Sequence, residues 1–171
     1  MQVVLVGYMG SGKTTVGQLL ANELKYTFLD LDSYMEDAMG MSVSEMFETK
    51  GELFFRKKEH FYLKEVLTES KNFVLSTGGG TPCYSGNMDA ILENTPNVFY
   101  LKVSIMELVK RLGAEKDHRP LIKDIGTNDL PEFFGKHLFE RSPFYSKATN
   151  VISSDNKTPE DIVEEIKTSL V

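Results

Sequence analysis

The octapeptide Gly7-Tyr8-Met9-Gly10-Ser11-Gly12-Lys13-Thr14 constrains what this chain can fold into more than any other feature. It satisfies G-x-x-x-x-G-K-[ST] in full, with the apolar run Val3–Val6 before it and a helical pattern after it. Its glycines let the backbone curl until successive N–H groups face an anion. The helix beginning near Lys13 points its positive end at the same place. Lys13 can reach the β- and γ-oxygens of a nucleotide, and the Thr14 hydroxyl can ligate Mg²⁺. The plainer alternative is a glycine-rich turn with an exposed lysine, which would leave the strand–loop–helix context without a purpose. The motif specifies a bound nucleotide but says nothing of the acceptor.

The rest of the chain continues the rhythm that this motif begins. Short apolar runs recur at Val3–Val6, Thr27–Leu31, Phe73–Ser76, Val98–Leu101 and Val151–Ile152, mostly continuous and rich in β-branched or aromatic residues, as buried parallel strands are. Between them lie helical patterns. Val16, Leu19, Leu20 and Leu24 share one helical face. Ser42 and Glu45 form a capping box opening a helical region that runs through Phe54, Phe61 and Leu67. Thr158-Pro159-Glu160 reads as an N-cap followed by proline at the first helical position. Alternation of this kind predicts an α/β domain with a five-stranded parallel sheet and helices on both faces. Two stretches interrupt it. Ser33 to Ser70 is too long for one crossover helix and is expected to hold several. Gly113 to Asn128 is polar and glycine-punctuated, and reads as a long surface loop of the kind that serves as a lid.

Bulk properties narrow the field. A chain of 171 residues suits one domain with its own core. A net charge of -6 argues against a nucleic-acid partner. Cys83, the single cysteine, excludes an intramolecular disulfide and a cysteine-rich zinc site, and nothing around it marks an activated thiol. His60, His118 and His137 lack metal-ligand spacing. The start of the chain does not read as a secretory signal, and no stretch approaches the roughly 20 apolar residues that span a bilayer. The expectation is a cytoplasmic protein without a membrane partner.

Three further features carry chemistry. Asp30 and Asp32 end the second strand run, and their spacing predicts one shared strand face beside the phosphate loop. One acid could hold Mg²⁺ through water while the other accepts a proton from a substrate hydroxyl. Equally, both could be solvated, with Asp32 as an N-cap. Ser76-Thr77-Gly78-Gly79-Gly80 runs a strand into three glycines, which suits either close approach of a ligand or simple flexibility. Arg56, Arg119 and Arg141 each offer a planar two-donor grip for carboxylate or phosphate. Arg56 lies among Phe54, Phe55 and Phe61, expected to face inward; Arg119 lies in the lid, and Arg141 lies near a helix end. Each is also compatible with an ordinary surface arginine.

Taken in order, GYMGSGKTTVG, FLDLD, GELFFR with Glu59 after it, STGGG, RPL and ERSPFY resemble the shikimate kinase family, among the nucleoside-monophosphate-kinase-like P-loop proteins. The matching stretches span Gly7 to Tyr145. The resemblance implies a three-layer P-loop kinase fold with a helical substrate-binding insertion at about 33–62 and a mobile lid at about 112–128. It implies that Gly10, Ser11, Gly12, Lys13, Thr14 and Thr15 wrap the ATP phosphates, with Thr14 on Mg²⁺ and Asp30 bound to the ion through water. Asp32 would take the ring hydroxyls of shikimate, Arg56 and Arg141 its carboxylate, and Gly79 a hydroxyl through its backbone. Arg119 would fold in against the transferring phosphate, and Arg111 would flank the adenine with the Ser154-to-Pro159 loop opposite. Lys13, Asp32 and Arg119 would then form the catalytic set of a monomer acting on ATP and shikimate. Two other readings share the phosphate loop: a kinase for another polyol acid such as gluconate, and a nucleotide-dependent switch read by a protein partner.

Overall fold

Val3 and Leu5 point one way from the first strand and Val4 and Val6 the other. In the computed structural model, which describes residues 1–171, that alternation divides the molecule into layers. The strands β1 (Gln2–Val6), β2 (Thr27–Asp30), β3 (Phe73–Ser76), β4 (Val98–Lys102) and β5 (Asn150–Ser153) form one sheet in the order β2-β3-β1-β4-β5, with every pairing parallel. On one face Val3, Leu5, Val74, Phe99, Leu101 and Ile152 pack against helices α1 (Lys13–Leu24) and α8 (Pro159–Thr168). On the other, Val4, Val6, Leu75, Val98 and Tyr100 join side chains from α2 (Leu31–Met39), α3 (Val43–Lys50), α4 (Glu52–Glu69), α5 (Asn87–Asn94), α6 (Ile105–Gly113) and α7 (Leu130–Tyr145). Each fully buried Val or Leu contributes about 1.5–3 kcal/mol, so burial on the two sheet faces, rather than helix propensity, holds the layers. The expected parallel five-stranded sheet with helices on both faces is what the chain adopts.

Local signals decide where the helices begin. Ser42 Oγ accepts from Glu45 N at 3.1 Å while a Glu45 carboxylate oxygen accepts from Ser42 N at 2.9 Å, closing the expected capping box of α3. Thr158 and Asp161 do the same for α8, with Pro159 in its first turn.

Three expectations are corrected. The helical region opened at Ser42 is not continuous: it ends at Lys50, and a new helix starts at Glu52 after the chain turns at Gly51. Phe61 does not face inward but is 57% exposed, because the buried stripe of α4 runs through Phe55, Glu59, Leu63 and Val66 instead. Gly113 to Asn128 is not a bare loop. It contains short 3₁₀ turns at Lys116–His118 and Thr127–Asp129, and Ile122 is fully buried in the core.

One backbone position holds β1 and the loop after it in place. Gly7 has φ of 150°, and a Cβ there would lie 2.7 Å from the Leu101 carbonyl oxygen, a backbone atom that cannot step aside. Gly7→Ala is therefore expected to destabilise the fold by about 2 kcal/mol or more, lowering Tm by roughly 5–10 °C in a thermal melt.

Candidate active site

A parallel sheet brings the C-terminal ends of its strands to one edge, where ligands of such folds bind. Here β1, β2 and β3 are neighbours, so the loops after Val6, Asp30 and Ser76 meet. They enclose a cleft of about 570 Å³. Gly10, Gly12, Lys13, Thr14 and Thr15 form one wall, Asp30, Asp32, Gly78 and Gly79 another, and Arg111, Glu115 and Arg119 the rim. Ser11 is buried beneath the loop instead of lining the cleft.

The phosphate loop is held by its own lysine. Lys13 Nζ donates to the carbonyls of Gly7 and Tyr8 at 2.8 and 2.9 Å, and to Ser11 Oγ at 3.4 Å. Burial lowers its pKa to about 8, against the opposing influence of Asp32 and Asp30. Thr14 Oγ1 donates to an Asp30 carboxylate oxygen at 3.4 Å, so the two oxygen groups expected at a metal ion are adjacent.

The acidic pair is arranged differently from its strand spacing. β2 stops at Asp30, and Leu31 already begins α2, so the two acids do not share a strand face. Asp30, not Asp32, is the N-cap: its other oxygen accepts from Ser33 N at 3.1 Å. Asp32 sits in the first turn of α2 and projects to the third loop. Burial, followed by the negative charges of Asp30 and Glu59, raises its carboxyl to about 6.

The three glycines after β3 each lie against a different charged side chain, Gly78 also against Thr81 Oγ1, 3.0 Å from where a Cβ would stand. A Cβ on Gly78 would lie 3.3 Å from an Asp32 oxygen, one on Gly79 3.2 Å from Arg141 Nη1, and one on Gly80 2.8 Å from Arg56 Nη2. Asp32, Arg141 and Arg56 thus stand along one glycine run, although their helices are far apart in sequence. Arg56 Nη1 donates to Glu59 at 2.9 Å; Glu59 is 1% exposed, and its second oxygen accepts from the Thr81 hydroxyl at 2.8 Å. Arg141 lies 5.8 Å over the Tyr8 ring of the phosphate loop, and Tyr145 donates its hydroxyl to the Gly79 carbonyl at 2.5 Å. Sequence reasoning gave Glu59, Thr81 and Tyr145 no role. The i,i+3 spacing of Arg56 and Glu59 was a readable signal for the first. The other two contacts are made across the fold and leave no local pattern.

The rim arginines differ from each other. Arg111 donates to Glu107 at 2.8 Å and to the carbonyls of Gly10 and Ser154, each at 3.2 Å, tying the phosphate loop to the loop after β5. Arg119 bonds only Glu115, at 2.9 and 3.3 Å. Cys83 is half-buried, and burial raises its thiol pKa, as suits an inert side chain. Of the histidines, His60 meets Asn87 at 2.7 Å and His137 meets the Tyr8 hydroxyl at 2.8 Å. No group of three or more His, Cys, Asp or Glu side chains is placed to hold a metal.

Because Asp32 is held near 6, above its ordinary 3.8, folding favours its neutral form. That contribution to stability is complete below pH ~4 and is lost as the pH rises through 6. Asp32→Asn should therefore raise Tm at pH 8 by roughly 3–8 °C, with the gain shrinking towards pH 4, as read by melts across that range.

The family model for shikimate kinase matches residues 9–171. A shikimate kinase of Flavobacterium psychrophilum is 47% identical over 165 residues, covering 96% of each chain. The solved structure of shikimate kinase from Bacteroides thetaiotaomicron aligns with a TM-score of 0.89 at 35% identity, covering 99% of this chain and 96% of that one. That of shikimate kinase from Acinetobacter baumannii in complex with shikimate aligns with a TM-score of 0.87 at 31% identity, covering 98% and 91%. A phosphate loop, a facing acid and two arginines gathered on a glycine run, together with these matches along the chain, place it in the shikimate kinase family.

Proposed function

We propose that this chain transfers the γ-phosphate of ATP to the 3-hydroxyl of shikimate, giving shikimate 3-phosphate and ADP. The observation that carries the reading is the convergence of Asp32, Arg56 and Arg141 on Gly78–Gly80, next to the phosphate loop. Two guanidinium groups beside an acid fit a small molecule with a carboxylate at one end and hydroxyls at the other. A switch that only hydrolyses nucleotide has no use for this half of the site.

Residue roles follow from placement. Gly10 to Thr15 wrap the phosphates with backbone N–H groups, and Lys13 exchanges the Gly7 and Tyr8 carbonyls for phosphate oxygens. Arg56 and Arg141 hold the acceptor's carboxylate. The Gly79 N–H has no backbone partner and is left for a hydroxyl, while its carbonyl is occupied by Tyr145. Asp32 orients the reacting hydroxyl and takes its proton, for which a carboxyl held near 6 is better matched than an ordinary one. Arg119, on the cleft rim, supplies charge to the transferring phosphate. Positioning and charge neutralisation of this kind account for most of the catalysis in phosphoryl transfer.

The residues present suit Mg²⁺. Thr14 and Asp30 offer hard oxygen donors side by side, and the lack of a larger ligand cluster fits an ion that keeps waters and binds mainly through substrate phosphates. Once bound, the ion would neutralise charge on the β- and γ-oxygens. We assign residues 33–62 to acceptor binding and 112–128 to a lid. Action as a monomer belongs to the same proposal.

ADP release measured with shikimate, with gluconate and with neither tests the reading. Strong release with shikimate alone is expected; equal release without acceptor would defeat it. Arg56→Met and Arg141→Met should each raise the KM for shikimate by roughly 10- to 100-fold, the loss of one charged hydrogen-bonded contact, and unchanged KM in both would remove the carboxylate clamp.

A further inference from the structure

One aromatic ring outside the roles assigned above lies directly on the acceptor side of the site. Arg56 Cζ is 3.8 Å from the centroid of the Tyr84 ring, against 5.1 Å for Phe55 and 6.0 Å for Phe47. Edge-on contacts keep centroids at roughly 5 Å or more, so 3.8 Å is a face contact with the guanidinium lying over the ring. The backbone fixes Tyr84 there. Thr81 N donates to the Gly78 carbonyl at 3.1 Å and Cys83 N to the Gly80 carbonyl at 3.0 Å, winding the glycine run into the turn that ends at Tyr84. The Thr81 hydroxyl ties the same turn to Glu59, the ion-pair partner of Arg56.

The contacts of Arg56 show what the ring adds. Its hydrogen bond to Glu59 through Nη1 holds one point of the guanidinium, and the exposed Glu52 carboxylate, 3.7 Å from Nε, is beyond hydrogen-bond reach, so neither sets the plane. Gly80, lacking a Cβ, leaves room for Nη1 and Nη2 without binding them. A carboxylate gripped by two parallel hydrogen bonds needs the plane itself to be fixed, and only a flat surface against the face does that. Nor does the Tyr84 hydroxyl hold the guanidinium: like those of Tyr26 and Tyr100, it makes no hydrogen bond within the chain, unlike the hydroxyls of Tyr8, Tyr34, Tyr62 and Tyr145.

We propose that Tyr84 is a positioning residue for the acceptor, its ring setting the plane in which Arg56 presents its donors to the substrate carboxylate. This rests on the assignment of Arg56 to that carboxylate. Tyr84 does not line the phosphate-loop cleft, so its effect is expected on acceptor binding alone.

The test is steady-state kinetics of the full chain with Tyr84→Phe, which keeps the ring, and Tyr84→Leu, which keeps bulk without a π face, each made also in an Arg56→Lys background. Tyr84→Phe is expected to match the wild type. Tyr84→Leu is expected to raise the KM for shikimate roughly 3- to 30-fold, with the KM for ATP unchanged. In the Arg56→Lys background the same substitution should change the KM for shikimate less than twofold, because the planar partner is gone. An unchanged KM for shikimate in Tyr84→Leu, an equal rise in both KM values, a loss in Tyr84→Phe as large as that in Tyr84→Leu, or a full effect persisting in the Arg56→Lys background would each overturn the proposal. A wild-type chain indifferent to shikimate would instead sink the functional reading, and this proposal with it.

Discussion

The pairing of β1 with β3 is the constraint on which the rest of the molecule depends. Leu5 lies opposite Ser76, and Thr77 donates both its backbone N–H and its hydroxyl to the Leu5 carbonyl, at 3.2 and 3.0 Å. Two strands locked close to their C-terminal ends must launch their loops side by side. One loop curls around an anion site; the other, lacking side chains at Gly78 to Gly80, admits groups from α2, α4 and α7. A slip of one residue in this register would turn Val4 and Leu5 to the wrong faces and separate the loops at the same time. Core and site are therefore specified by a single pairing.

The site holds charges that the fold alone does not favour. Burial lowers Lys13 and raises Asp32, so both groups are kept in surroundings that penalise their charged forms. Around them stand Asp30, Glu59, Arg56 and Arg141. Arg56 is stabilised by Glu59, yet its Nε remains buried without a hydrogen-bond partner. Under the proposed roles such an arrangement is preorganised, its groups held in place before ligand charge arrives. The cost falls on folding stability, as expected where a site is shaped by its chemistry.

Much of this was legible in the sequence because it is local. The phosphate loop, the capping box at Ser42, the N-cap and proline at Thr158-Pro159, and the five apolar runs each depend on residues within a few positions of one another, and all lie where the pattern put them except for Leu31 at the end of the second run. The assignment of Asp30 and Asp32 to a shared strand face failed because a two-residue spacing means one thing in a strand and another at a strand-to-helix junction, and nothing local marks Leu31 as the first residue of α2. Phe61 was misplaced because α4 carries aromatic residues on several faces and buries Glu59 instead, a choice made by the ion pair with Arg56. The meeting of Asp32, Arg56 and Arg141 at three successive glycines is set by strand order, and strand order leaves no trace in any window of neighbouring residues.

The stretch before α7 carries a mechanical consequence. Leu112 and Ile122 are both fully buried, while the nine residues from Gly113 to Leu121 between them are largely exposed. Arg119 is thus part of a short bight moored at two posts, three residues from the second, a distance that a fully extended chain spans in about 10 Å. The first post is no bystander. Leu112 lies on the phosphate loop so closely that a Cβ on Gly10 would come within 2.7 Å of it. At the density of a protein interior there is no slack between them. The packing of Leu112 on Gly10 thus joins the phosphate loop directly to one end of the segment that carries Arg119.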